Sequence, residues 1–209
     1  MALCSLIPAA LVLLPLQSQP AEAHIISTRF GDFYSGVLHP LTDLTDCLIW
    51  LALGALAGSL GADRSRWLVV LFPLGLFAGL ASASIVGTWA SNGVTTATVI
   101  TGLGLLIAAG LRLPTLLLGL IGFAVAVLRG IANASGLEGE TNVALFGAGV
   151  ICAGYVMMTL LMALVVVIRR TDLGERTAWR GIAVRAIGGW IAAIGIMLAT
   201  FSWHGALVP

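Results

Sequence analysis

The sequence predicts an all-α membrane protein: a six-transmembrane-helix bundle preceded by a cleavable signal peptide. Three observations predict it. Of 209 residues, 59% are hydrophobic and only 9% are charged, where a soluble domain carries roughly 25% charged residues. The apolar residues fall into long blocks with the charges confined mainly between them. All ten basic residues are arginine, and most of them cluster in alternate connections. The net charge of +1 gives no sign of a nucleic-acid partner.

The elements follow in order. Residues 1–23 resemble a secretory signal. Residues 6–16 are a short apolar run interrupted by Pro8 and Pro15, too short to span, since a spanning helix needs about 20 residues. Ala21 and Ala23 then supply an A-x-A cleavage pattern. The absence of a basic side chain in "MALCS" leaves an uncleaved anchor as the alternative. Residues 24–209 form a single domain with spans at roughly 34–60, 67–90, 94–111, 114–134, 143–168 and 179–203.

Orientation follows from the arginines. With the mature N-terminus outside, the inner connections carry Arg64, Arg66, Arg112, Arg169, Arg170 and Arg176, and Arg180 starts the last span from the inside. The connections at 91–93 and 136–142 carry no basic residue. This is the positive-inside pattern, and it agrees with the signal. It places both mature termini in the periplasm and the bundle in a bacterial inner membrane. Gly54 with Gly58, and Gly75 with Gly79, are GxxxG pairs, which let helix backbones approach closely in lipid.

The polar residues within the spans carry the functional signal. His39, Asp43 and Asp46 are spaced i, i+4, i+7. On one continuous helix they share a face, with Thr42 beside them and Pro40 in the first turn. A charge at the bilayer centre costs about 2.5–3.5 kcal/mol, so these groups need a wet cavity or partners. One reading is a cation- or proton-handling site open to the outside. The other places the aspartates in the headgroup zone. Arg129 lies at a comparable depth in the fourth span, with Asn133 one turn further out on its face. An ion pair between Arg129 and Asp43 or Asp46 would solve the solvation of both, and snorkelling to the outer surface is the alternative.

Other candidates read as structural. Cys4, Cys47 and Cys152 form no metal or redox spacing and read as small buried side chains. Met157, Met158 and Met162 do not share one face with Cys152 and read as packing rather than a Cu(I) path. His204 reads as solvated, and Arg185 as snorkelling to the inner face. His24, if cleavage exposes it, pairs an amine with an imidazole. There is no HExxH motif, no nucleophile elbow and no histidine pair within a span to hold haem, so the chain reads as a non-enzyme.

The layout, with "FYSGVLHPLTDLTDCLIWLALGALAG" in the first span, resembles the HupE/UreJ family. Its members are nickel or cobalt permeases, or accessory proteins of nickel enzymes such as hydrogenase and urease. Phe33, Gly36, His39, Pro40, Leu41, Leu44 and Gly54 stand at the family's first-span positions. The family's DH pair falls on Thr45 and Asp46, and its preceding glycine on Asp43. In the fourth span the family's HGxAHG aligns with "RGIANA", so Gly130 and Ala132 agree while the two histidines become Arg129 and Asn133. The family's fifth-span histidine falls near Met158. An arginine repels a divalent ion where an imidazole would bind one.

The resemblance implies a transport protein for a divalent transition metal, Ni²⁺ or Co²⁺, with His39, Asp43 and Asp46 as metal ligands and no permanently bound cofactor. Its expected partners are the bilayer, the metal ion, and other membrane subunits or nickel-enzyme maturation proteins. The alternative function is a non-transporting membrane accessory or scaffold whose polar cluster is a structural salt bridge.

Overall fold

The computed structural model describes residues 22–86, 92–134, 137, 141–170 and 179–207; the proposed signal lies almost wholly outside them. Among the described residues all regular structure is helical. The helices are α1 (Glu22–Thr42), α2 (Leu44–Leu60), α3 (Ala62–Ser65), α4 (Leu68–Val86), α5 (Gly93–Ala109), α6 (Thr115–Ala134), α7 (Val143–Arg170) and α8 (Trp179–Leu207).

Four helical stretches are long and apolar enough to cross a bilayer alone: Ala62–Val86, Thr115–Ala134, Val143–Arg169 and Trp179–Trp203. A fifth crossing requires two pieces, Gly31–Thr42 and Leu44–Leu60, which meet at a bend of 78°. The single straight first span expected over 34–60 is therefore corrected to a broken one. The remaining apolar helix, α5, has 17 residues, about 26 Å of helix against a hydrocarbon core of about 30 Å. Large apolar side chains line the outside of the bundle. Leu116 and Trp190 are each 75% exposed, a surface that suits lipid and not water. The chain is a multi-pass membrane protein.

The break has a local cause. Asp43 adopts extended backbone (φ −84°, ψ 109°) and caps α2, its carboxylate accepting from Thr45 N at 2.8 Å. A cap starts a new helix rather than continuing an old one. Pro40 lies in the last turn of α1, not the first turn of a span, and its ring nitrogen cannot donate to the preceding turn. Side-chain donors gather on the carbonyls around the break. Thr42 Oγ1 donates to Leu38 O and to His39 O, each at 3.0 Å, and His39 O also accepts the backbone N–H of Asp43 at 3.2 Å. Cys47 Sγ donates to Pro40 O and Leu41 O at 3.4 and 3.5 Å. In lipid such groups must be met internally. Cys47 thus closes the break instead of merely filling space. Cys152 is exposed, not buried as expected, because it lies on the outward side of α7.

Helix α2 is the centre of the molecule. Ile49, Trp50, Ala52, Leu53 and Ala57 are fully buried, as expected of a helix apolar on every side. It packs against α7 and α5 and reaches α6 and α8, while α4 pairs with α6, α5 with α8, and α1 with α7. The GxxxG pairs act within this one chain. A Cβ on Gly54 would lie 2.7 Å from Met158 O, and one on Gly58 2.6 Å from Met162 O, so α2 and α7 touch backbone to backbone. Gly75 and Gly79 do the same for α4 against α6, at Phe123 O and Val127 O. Met158 is fully buried in the core and Met157 and Met162 pack against it, in keeping with the packing reading.

Candidate functional site

The break in the first span puts Asp43 and Asp46 on the first turn of α2. Asp43 is the cap and Asp46 the third residue of the helix. Helix N-termini carry partial positive charge, so both carboxylates sit where the backbone favours them. The two differ in exposure. The Asp46 side chain is 1% exposed and the Asp43 side chain 40%.

Arg129 meets them from α6. Its Nε donates to Asp46 Oδ1 at 2.6 Å, and its Nη2 lies 3.6 Å from Asp43 Oδ2. Its Nη1 donates to Thr96 Oγ1 of α5 at 3.4 Å. Asn133, one turn on, donates from Nδ2 to Asp46 Oδ2 at 2.9 Å and to Arg129 O at 2.8 Å. Asp46, Arg129, Asn133 and Thr96 are all buried. Turning the Asn133 amide over would lose both of its bonds, which fixes its orientation. Asn133 Oδ1 is then a buried acceptor without a donor among the described residues. Such an orphan costs about 1–3 kcal/mol.

The cluster thus joins three helices and holds two carboxylates against one guanidinium. Arg129 is paired, and it does not snorkel. Asp46 takes the short, buried contact, while Asp43 keeps its second partnership with Thr45, whose hydroxyl donates to it at 2.6 Å. A surplus of one negative charge remains.

His39 stands apart in its bonding. The break ends its helix before Asp43, so the shared face expected for His39, Asp43 and Asp46 is not formed on one continuous helix. The imidazole packs on Phe146 of α7, with ring centroids 5.5 Å apart. Among the described residues no group of three or more His, Cys, Asp or Glu side chains is placed to hold a metal ion. Arg185 is not simply snorkelling: its Nε donates to Ala108 O at the end of α5, at 2.8 Å. The side chains of His24 and His204 lie outside the described ones.

Thr96 is the member that sequence reasoning missed. Helix α5 carries threonines at 95, 96, 98 and 101. Thr98 and Thr101 return their hydroxyls to Val94 O and Ala97 O, whereas Thr96 faces the guanidinium. The polarity of the run was visible; which hydroxyl turned inward was not.

No curated protein and no solved structure matches the chain. The family model described as HupE / UreJ protein matches residues 11–198, nearly the whole length, and the chain belongs to the HupE/UreJ family.

Proposed function

We propose that this chain is a permease-like protein of its family that carries a divalent transition metal, nickel or cobalt, across the bacterial inner membrane. In this reading α5 is the sixth crossing, both mature termini are periplasmic, and the cation approaches Asp43 from the outside. Asp43 and Asp46 are its capture groups, and His39 a donor supplied from the other side of the break. Arg129 holds the carboxylates when no cation is bound, and a divalent ion competes with it for them.

One observation carries the reading: two carboxylates face a single guanidinium at a helix break inside the bundle. Broken helices at membrane depth are tolerated where they are buried in protein or line a cavity, and in transporters they form ion sites. The unpartnered Asn133 Oδ1 adds a buried oxygen that a cation would satisfy. The second reading, a non-transporting accessory protein stabilised by a structural salt bridge, rests on the Arg129–Asp46 contact at 2.6 Å. It leaves the half-exposed Asp43 without a task beyond capping.

Asp43→Asn separates the two. Asparagine caps a helix as well as aspartate does, so α2 keeps its start while the surplus charge is lost. Metal-starved cells expressing the protein should accumulate nickel or cobalt in an elemental analysis that also includes zinc, copper and manganese. The Asp43→Asn cells should fall to the level of cells without the protein, at equal membrane expression. Equal accumulation in variant and wild type would sink the capture role.

A further inference from the structure

A second charged site lies at the other end of α2, about 21 Å of helix from Asp46. There, a cavity of about 340 Å³ sits beside the turn at Gly61. Its wall takes Arg64 from α3, Arg112 from the α5–α6 connection, Arg169 from α7 and Arg185 from α8, with Asp63 as the one acidic side chain among the described lining residues. Four segments distant in sequence thus bring a net charge of +3 to one concavity. All four arginines are exposed. The Nε bond from Arg185 to Ala108 O leaves its terminal nitrogens unused by that contact.

Positive residues on the inner side of a membrane protein set topology, but topology does not require them to converge. Guanidinium groups gathered on one cavity repel one another, and an anion relieves that repulsion. The same field rejects a divalent cation, so this cavity is independent of the proposed metal path. The planar, multiply donating guanidinium matches phosphate oxygens. The surroundings mark a membrane interface. Trp67 and Trp179 are each 55% exposed, with the guanidiniums of Arg66 and Arg180 5.6 and 5.2 Å from their rings, and such tryptophans sit at headgroup level. Leu111, in the cavity wall beside Arg112, is 51% exposed. A charged pocket with an apolar lip suits a molecule with a phosphate and an acyl chain.

We propose that this cavity binds a phosphate-bearing anion, and that its occupant is the headgroup of an anionic phospholipid. The test uses the full chain purified in detergent, with native mass spectrometry and thermal unfolding in the presence of phosphatidylglycerol, phosphatidylcholine or inorganic phosphate. Phosphatidylglycerol should stay bound and raise the unfolding temperature, while phosphatidylcholine should not. Each basic side chain near an anionic lipid surface is worth about a fivefold change in affinity, so the Arg64→Gln/Arg112→Gln double variant should bind about thirtyfold more weakly. The Arg64→Lys/Arg112→Lys variant, which keeps the charge, should retain most of the binding. Stabilisation by inorganic phosphate alone, lost in the glutamine variant, would support the phosphate site but overturn the lipid as its occupant. Equal binding of both lipids, or glutamine variants that bind phosphatidylglycerol like the wild type, would overturn the proposal.

Discussion

Asp46 is 1% exposed, yet both of its oxygens are engaged, one by Arg129 and one by Asn133. Removing one member of a buried ion pair costs about 3–5 kcal/mol, because the other charge is left uncompensated. Arg129→Ala should therefore destabilise the protein by about that amount. Adding Asp46→Ala to it should cost less than the sum of the single changes, since contacting residues do not add independently. Thermal unfolding of the four proteins in detergent measures this, and additive losses would contradict a coupled pair. The pairing itself was legible. Arg129 and the aspartates sit at similar depths, and neither is affordable alone in lipid. Depth could not choose between Asp43 and Asp46, because it gives a level in the membrane and not a position around the helix. Burial makes the choice: Asp46 points into the bundle, and Asp43 stays at its edge beside Thr45.

Among the elements, the helices were legible because apolar runs of their length have few other fates, and five of the six expected spans fall on helices with similar limits. The first differs. "TDLTD" at 42–46 is a capping pattern ahead of an apolar run, the usual mark of a helix start. The continuous apolarity around it masks the stop at Thr42. Membership of one face depends on an unbroken helix, so the break also removes the shared face of His39, Asp43 and Asp46. The glycine pairs tell the opposite story. Their local meaning, close backbone approach, was plain in sequence, but their partners required the fold. Gly54 and Gly58 take α7, and Gly75 and Gly79 take α6. Gly54→Val should force α2 away from Met158 O and destabilise the bundle by about 1–3 kcal/mol, the usual cost of overpacking. Denaturant titration of the purified protein checks this. An unchanged midpoint would show that the α2–α7 contact has slack.

Across the whole molecule, α2 runs from one charged site to another. Its N-terminus holds the carboxylates and Arg129, and its C-terminus opens on the arginine cavity. Everything between is apolar and packed, with Trp50 fully buried against Phe72 at 6.2 Å. Under the proposed transport, a cation crossing between the two faces would require a change in how α2 meets α5 and α7, although α1 and α2 both press backbone to backbone on α7, at Gly36 and Gly149 and at Gly54 and Gly58. The decisive measurement is ion uptake into vesicles reconstituted with the purified chain alone and loaded with a metal-sensitive dye. Nickel or cobalt should enter vesicles carrying the wild type, and vesicles carrying the Asp43→Asn protein should remain as tight as protein-free ones. Wild-type vesicles no more permeable than protein-free ones would contradict transport by this chain and leave the cluster as a structural ion pair.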